Sequence, residues 1–202
     1  MLVCSINYII KLMDMVSNFT EFIQWINNNN FEVIVWDMDR TMSSKHCGDG
    51  LPKQLLQEYI DAASIDFVTI LKEIVKTKLN IKFAVATGSD PLEYNLHADG
   101  THILGPDLAK ELINFHCPVA IELFGIMVGY DCRLHENKNL PHFQGKRHHM
   151  RLIQQHFNVD FDKILLIDDS LSLLVNEDGW KGIQVNGDLG FQFSHCSNKY
   201  NF

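Results

Sequence analysis

Acidic and hydroxyl side chains stand at the ends of three apolar runs in this chain. The first run leads into Asp37 and Asp39, the second into Thr87, and the third into Asp168 and Asp169. Four carboxylates in one crevice would repel one another unless a cation lay among them. Ligands that offer only oxygen atoms favour a hard divalent ion, for which Mg²⁺ is the natural choice. The pattern therefore predicts a magnesium site, provided that the three runs end side by side.

A basic residue, Lys146, precedes the third run. A carboxylate nucleophile, a magnesium ion, a hydroxyl group and a lysine are the components that a phosphoryl-transfer site needs. Each component alone also has an ordinary structural interpretation, because acidic residues after a strand often form turns or helix caps and a single lysine is most often solvated. The joint order of these residues along the chain is what favours the chemical interpretation.

Buried strands are predicted at the three runs, FEVIVWD, IKFAVAT and KILLIDD, because β-branched apolar runs are typical of a parallel sheet covered on both faces. Strands and helices alternate along the chain, which predicts an α/β fold with helices on both faces of a parallel sheet. Ligands bind such sheets at the carboxyl ends of the strands. The other predicted elements are strands in PVAIELFGIMVGYD and GIQV and helices over 17–30, over 53–79 in two pieces, over 106–115 and over 146–157.

The composition excludes several functional classes. The 202 residues include 17 basic and 25 acidic side chains, for a net charge of −8, which argues against a general nucleic-acid binder because phosphate neutralisation needs a basic face. No apolar run approaches the roughly 18 residues of a membrane span, and the N-terminal segment lacks the features of a signal peptide. The five cysteines are widely spaced, so we expect neither a disulfide framework nor a zinc cluster. We therefore expect a cytoplasmic protein without nucleic-acid or membrane partners.

The order of the motifs resembles that of the haloacid dehalogenase (HAD) superfamily of hydrolases. The matching segments are VIVWDMDRT, FAVAT, GKRHHMRLIQQHF and ILLIDDS, within residues 31–187. Inside the superfamily, the chain is most similar to the magnesium-dependent phosphatase group. The resemblance implies a Rossmann-like three-layer α/β/α sandwich with a mostly parallel sheet. It also implies Mg²⁺ as cofactor and the hydrolysis of a phosphomonoester through an aspartyl-phosphate intermediate.

The resemblance assigns catalytic roles to individual residues. Asp37 would be the nucleophile that forms the aspartyl-phosphate. Asp39 would be the general acid toward the leaving group and then the base that activates water. Thr87 would hydrogen-bond the transferring phosphoryl group, and Lys146 would neutralise the nucleophile and the phosphate oxygens. Further substrate-binding residues would be Thr41 and Gly88.

The implied metal ligands come from both acidic motifs. Asp37, Asp169 and the backbone carbonyl of Asp39 would hold Mg²⁺, and Asp168 would assist the metal shell. The spacing within the first motif suits this chemistry independently, because residues i and i+2 of an extended strand point to the same side. Both carboxylates of that motif can therefore face one substrate.

The expected organisation is a single domain over residues 1–202. It comprises a helical extension over 1–30, a catalytic core over 31–187 and a tail over 188–202. The insertion after the first acidic motif is too short for a large helical cap, so we expect a minimal cap or none. An open site of this kind suits a phosphorylated small molecule or a phosphoprotein.

Two other functions are compatible with the same motifs. One is a phosphotransferase or mutase on this scaffold, although the absence of a large cap counts against it because mutases must exclude water. The other is a binding protein that keeps the fold without turnover.

Three neighbouring residues have open roles. Arg40, where many family members have glycine, would contact substrate or solvent, and His46 and Cys47 would contact substrate or form an exposed loop pair.

Overall fold

A parallel sheet of five strands forms the centre of the protein, within the residues that the computed structural model describes: 17–47, 50–88, 100–129, 145–176 and 178–196. The seven described strands are β1 (Val33–Trp36), β2 (Leu51–Pro52), β3 (Lys82–Ala86), β4 (His102–Ile103), β5 (Phe124–Val128), β6 (Ile164–Asp168) and β7 (Lys181–Gln184). The central sheet has the order β5-β3-β1-β6-β7, and all of its pairs are parallel. β2 and β4 form a separate antiparallel pair.

Helices connect the strands and cover the sheet. The described α-helices are α1 (17–28), α2 (Leu56–Asp61), α3 (Ile65–Thr77), α4 (Gly105–His116), α5 (Arg147–Phe157) and α6 (Leu171–Leu174). Short 3-10 helices occupy Lys53–Leu55, Pro118–Leu123, Phe161–Lys163 and Phe193–Cys196. Local signals set the limits of α3, since the Ser64 side chain accepts the Phe67 N–H at 3.1 Å and Lys78 ends the helix in the left-handed conformation.

The two faces of the sheet carry separate apolar layers. In β1, Ile34 and Trp36 pack toward the layer that contains α1, α3 and α4, whereas Val33 and Val35 pack toward α5 and α6. All four residues are fully buried. A strand buried on both faces needs an uninterrupted apolar run, which explains why VIVW carries no alternation. The predicted three-layer α/β/α sandwich with a parallel sheet is therefore confirmed.

One predicted strand begins later than expected. The segment PVAIELFGIMVGYD was predicted to be extended throughout, but Pro118–Leu123 is a 3-10 helix and β5 begins at Phe124. Proline has no N–H to contribute to a strand ladder, and its fixed φ suits the first turn of a helix. The turn is closed by a hydrogen bond from the Ala120 N–H to the Cys117 carbonyl at 2.9 Å.

Both ends of the described chain pack into one apolar core. Phe22 of α1 lies with its ring centroid 5.9 Å from that of Phe191 and 5.8 Å from that of Phe193. Phe191 in turn meets Trp36 of β1 edge to face at 5.1 Å. Part of the expected extension and part of the expected tail thus belong to the same apolar layer as the central sheet.

Two further sequence expectations concern cysteines and membrane spans. None of the three described cysteines, which are Cys47, Cys117 and Cys196, forms a disulfide, while Cys4 and Cys132 lie outside the described residues. Over the described ranges, every helix is too short or too polar to cross a bilayer.

Candidate functional site

The polar ends of three strands meet at one edge of the sheet. β1 lies between β3 and β6, and Trp36 pairs with Val85 on one side and with Ile167 on the other. The residues that follow these strands are therefore neighbours, and the Asp37 N–H donates to the Ile167 carbonyl at 2.9 Å. This register brings together the three segments in which the sequence predicted a site.

Three carboxylates converge at this edge. One oxygen from each of Asp37, Asp168 and Asp169 lies within 4.8 Å of the corresponding oxygens of the other two. Asp37 and Asp168 are buried, whereas Asp169 is partly exposed. Oxygen donors at this spacing suit a hard divalent cation such as Mg²⁺. The structure thus brings together the side chains of the three aspartates that were predicted to serve as metal ligands.

Lys146 lies against two of these carboxylates. It is the N-cap residue of α5, so the start of that helix directs its side chain beneath the strand ends. Its Nζ donates to Asp37 Oδ1 and to the Ala86 carbonyl, and it lies 2.8 Å from Asp168 Oδ2. Only 4% of the lysine is exposed, so the alternative interpretation of a solvated surface lysine is wrong.

The electrostatics of the cluster reflect an excess of negative charge. Burial, opposed in part by Lys146 and reinforced by Asp168, raises the pKa of Asp37 to about 7. Burial and the charge of Asp168 likewise raise the pKa of Asp169. Burial alone would lower the pKa of Lys146, but the charges of Asp37 and Asp168 outweigh it and raise that pKa. Three carboxylates face one ammonium group, and a bound divalent cation would offset the remaining charge.

Asp39 lies outside this carboxylate cluster and has its own set of hydrogen-bond donors. Its Oδ1 accepts the Tyr59 hydroxyl at 2.8 Å. Its Oδ2 accepts the backbone N–H of Cys47 at 3.0 Å and lies 2.9 Å from His46 Nδ1. The Asp39 side chain therefore occupies a separate position in the site, which suits a role different from that of Asp37.

The loop residues that follow Asp39 differ from one another in exposure. The His46 side chain is 61% exposed, as expected for a loop residue. Cys47 is buried, and its Sγ contacts Asp39 Oδ2 at 3.1 Å, so the interpretation of an exposed pair is wrong for the cysteine. Burial and the charge of Asp39 raise the pKa of the Cys47 thiol, which favours the neutral thiol rather than a reactive thiolate.

Thr87 is held at the end of β3 by two backbone contacts. Its N–H donates to the Val128 carbonyl at 3.0 Å, and its carbonyl accepts the Nε2–H of His149 at 3.0 Å. His149 is buried in α5, and burial together with the nearby Lys146 lowers its pKa to about 3, so the ring is neutral. His149 is one of the residues whose contribution to the site the sequence did not predict. Gly88, the next residue after Thr87, is exposed.

Thr41 lies in the loop that follows β1. The residue is fully buried, and its carbonyl accepts the Phe191 N–H at 2.8 Å. Its hydroxyl is buried and has no hydrogen-bond partner among the described residues, and its contact with substrate stays a prediction. Thr41 connects the loop after β1 to the segment that follows β7.

Arg40 has an unusual backbone conformation beside the carboxylates. Its φ of 56° lies in the left-handed region, which glycine adopts at the lowest cost. The side chain is exposed and packs against Gly187. A Cβ added to Gly187 would lie 2.9 Å from Arg40 Cβ and 3.1 Å from Asp169 Oδ2. Arg40 therefore points to solvent at the edge of the site, where its charge also acts to lower the pKa of Asp169.

The residues described above define the candidate site. Asp37, Asp168 and Lys146, all buried, form a charged cluster with the partly exposed Asp169, and Asp39 and Thr87 lie at the adjoining strand ends. Tyr59 and His149 support Asp39 and Thr87 from α2 and α5. Neither a scan of protein-family models nor a search of curated proteins finds a match to this chain.

Proposed function

We propose that this protein is a Mg²⁺-dependent phosphatase with a HAD-type site, which hydrolyses a phosphomonoester through an aspartyl-phosphate on Asp37. One observation carries the proposal: the carboxylates of Asp37, Asp168 and Asp169 converge, and the buried Lys146 contacts two of them. A buried anionic cluster with an internal lysine suits the binding of a cation and of a phosphate dianion together.

The donor set fits the proposed metal. Asp37 and Asp169 with their carboxylates and Asp39 with its backbone carbonyl would hold Mg²⁺ with oxygen atoms only, as that ion prefers, and Asp168 would assist the metal shell. When bound, Mg²⁺ supplies positive charge that polarises and neutralises the phosphoryl oxygens. Asp168 Oδ1 already accepts the Ser170 N–H at 2.8 Å, and Oδ2 faces Lys146. Asp168 therefore has the additional task of orienting the lysine.

The first chemical step is transfer of the phosphoryl group to Asp37. A carboxylate oxygen of Asp37 forms a bond to phosphorus while the bond from phosphorus to the leaving oxygen breaks. Lys146 donates to Asp37 and stabilises the negative charge on the phosphoryl oxygens. Asp39 gives its proton to the leaving oxygen, so the alcohol departs neutral.

The second step releases inorganic phosphate. Asp39, now a carboxylate, removes a proton from a water molecule that attacks the phosphorus. The bond from phosphorus to Asp37 breaks, which restores the nucleophile and leaves Asp39 protonated for the next cycle. Dividing the hydrolysis into two displacements replaces one difficult step by two easier ones.

The proposed substrate class is broad. An open site with a minimal cap suits a phosphorylated small molecule or a phosphoprotein, which would reach Asp37 without closure of a lid. The partly exposed Asp169 and the exposed Arg40 support access of solvent to this side of the cluster.

The test is the hydrolysis of p-nitrophenyl phosphate by the purified protein. We expect turnover with Mg²⁺, none with EDTA, and a loss of about 10³-fold or more in Asp37→Asn because the amide is not a nucleophile. Asp162→Asn is the matched control, because Asp162 is exposed and precedes β6 at the opposite edge of the sheet. This control should keep wild-type activity.

Other outcomes would identify a different function. Full activity in Asp37→Asn would refute the proposed nucleophile. Lasting transfer of phosphate to an acceptor without release of inorganic phosphate would favour a phosphotransferase. Binding of Mg²⁺ without turnover of phosphopeptides, sugar phosphates or aryl phosphates would favour a non-catalytic binding protein.

A further inference from the structure

Asp39 is fixed by a buried tyrosine from a neighbouring helix. We infer that Tyr59 is a positioning residue for Asp39: its hydroxyl sets the orientation in which Asp39 protonates the leaving group. The inference rests on the proposed phosphatase function and deepens it, because it assigns a task to a residue outside the acidic motifs. Tyr59 donates to Asp39 Oδ1 at 2.8 Å and is itself only 1% exposed.

The helix that carries Tyr59 is tied to the loop that follows Asp39. The Ser43 hydroxyl lies 3.2 Å from the Tyr59 carbonyl and 3.3 Å from the Ala62 carbonyl, and the Ser44 N–H donates to the Ala62 carbonyl at 3.0 Å. These bonds hold α2 against the loop independently of the tyrosine hydroxyl. The ring of Tyr59 thus has a fixed place from which to orient Asp39.

The two oxygens of Asp39 have different surroundings. Oδ1 faces the buried Tyr59 hydroxyl, whereas Oδ2 accepts the Cys47 N–H and lies beside the exposed His46. The Asp39 side chain is 17% exposed, so it retains an accessible edge. The Tyr59 bond at Oδ1 and the Cys47 N–H bond at Oδ2 together fix the rotation of the carboxyl group, so loss of the Tyr59 bond leaves it held at one end only and frees the direction of its accessible edge.

This arrangement matters most for substrates with a basic leaving group. An alkoxide is a poor leaving group and needs a proton as the phosphorus–oxygen bond breaks, whereas p-nitrophenolate departs readily without one. The value of kcat/KM covers the steps up to the first irreversible one, in which the leaving group departs. Misorientation of Asp39 should therefore lower kcat/KM more for an alkyl phosphate than for p-nitrophenyl phosphate.

The experiment compares Tyr59→Phe with the wild type on glycerol 2-phosphate and on p-nitrophenyl phosphate, with Mg²⁺. General acid catalysis contributes about 10²- to 10⁴-fold, so partial misorientation should cost about tenfold or more in kcat/KM on the alkyl ester relative to the aryl ester. Both esters are assayed on one preparation of each variant. The amount of folded enzyme then cancels in the ratio, and reduced stability cannot imitate the effect.

Ser64→Ala is the matched control. It removes a buried hydroxyl group that caps α3 and contacts neither Asp39 nor α2. It should lower the melting temperature and leave the alkyl-to-aryl ratio of kcat/KM unchanged. Asp39→Asn removes the proposed general acid and therefore gives the largest change expected in the alkyl-to-aryl ratio of kcat/KM. Adding Tyr59→Phe to Asp39→Asn should change that ratio no further.

Two results would overturn the inference in distinguishable ways. If Tyr59→Phe lowers kcat/KM by the same factor on both esters while the wild type hydrolyses both, Tyr59 has no orienting role and the proposed phosphatase function stands. If the wild type hydrolyses neither ester, the proposed function fails and the role of Tyr59 fails with it.

Discussion

At the scale of single residues, the position of Lys146 decides how the acidic cluster can exist. Buried carboxylates are unfavourable unless they are paired, and Lys146 pairs with Asp37 and Asp168 at once. The lysine does not neutralise the third carboxylate, Asp169. Asp169 is partly exposed and feels the charge of Arg40, yet burial and Asp168 still raise its pKa, and a bound cation would relieve this excess of negative charge as we propose.

Arg40 tests a different residue-scale effect, the cost of its backbone conformation. With φ at 56°, a residue with a Cβ is strained by about 1 kcal/mol or more relative to glycine. Arg40→Gly should therefore increase the free energy of unfolding relative to Arg40→Ala by about 1 kcal/mol, since alanine removes the side chain but keeps the Cβ. Urea denaturation of the two variants measures this difference. A glycine variant no more stable than the alanine variant would show that position 40 carries no such strain.

At the scale of elements, one helix start holds two parts of the site. Lys146 caps α5 and contacts the ends of β1 and β6, while His149 lies within the first turn and contacts the end of β3. Because β3, β1 and β6 are neighbours, a single helix can reach all three strand ends. The placement of α5 thus aligns the lysine with the threonine.

Replacement of His149 tests this contact between helix and strand. His149→Phe leaves the Thr87 carbonyl without the imidazole donor in a buried environment, which should cost about 1–3 kcal/mol in the free energy of unfolding. His149→Gln keeps an N–H donor and should cost less. Urea denaturation measures both variants. Equal stability of His149→Phe and the wild type would contradict the structural role assigned to this histidine.

Sequence patterns predicted those elements whose signal is local and strong. The VIVW and ILLI runs favoured strands buried on both faces, and the helix expected over 146–157 is observed as α5 at Arg147–Phe157. Pro118–Leu123 was misassigned because a short apolar run does not reveal its period. Proline at its start was the available signal for a helical turn.

Long-range contacts limited the prediction of the site. The acidic motifs and Lys146 could be assigned because their residue types at strand ends have a chemical interpretation. Tyr59 and His149 could not, since a tyrosine in a helix and one of two adjacent histidines have many ordinary positions. Their contacts, with Asp39 and Thr87, join residues 20 and 62 positions apart. Such pairs follow from the packing of α2 and α5 and leave no pattern in the sequence.

At the scale of the whole molecule, the charged cluster couples folding to pH and to metal. The pKa of Asp37 is raised to about 7, so the folded state retains a proton that the unfolded chain releases at about pH 4. Asp37 therefore disfavours folding increasingly as the pH rises through this window. His149 acts in the opposite direction, because its pKa is lowered to about 3 and the unfolded state binds its proton first.

The effect of Asp37 can be isolated by comparison with Asp37→Asn. In EDTA, the stability of Asp37→Asn relative to the wild type should increase between about pH 4 and pH 7, because only the wild type must ionise the buried carboxylate. In the wild type, stabilisation by Mg²⁺ should increase over the same range, since the cation binds ionised carboxylates. Thermal unfolding at several pH values measures both trends. The account would be contradicted if the stability of Asp37→Asn relative to the wild type decreased as the pH rose. It would also be contradicted if stabilisation of the wild type by Mg²⁺ did not depend on pH.

The most direct test of the central claim is detection of a phosphoryl group on Asp37. The protein is mixed with a phosphomonoester and Mg²⁺, quenched in acid during turnover, digested and analysed by mass spectrometry. We predict a phosphorylated peptide that contains Asp37, whose label hydroxylamine removes and Asp37→Asn abolishes, as expected of an acyl phosphate. Rapid hydrolysis without any label at Asp37, with equal turnover by Asp37→Asn, would contradict the proposed mechanism.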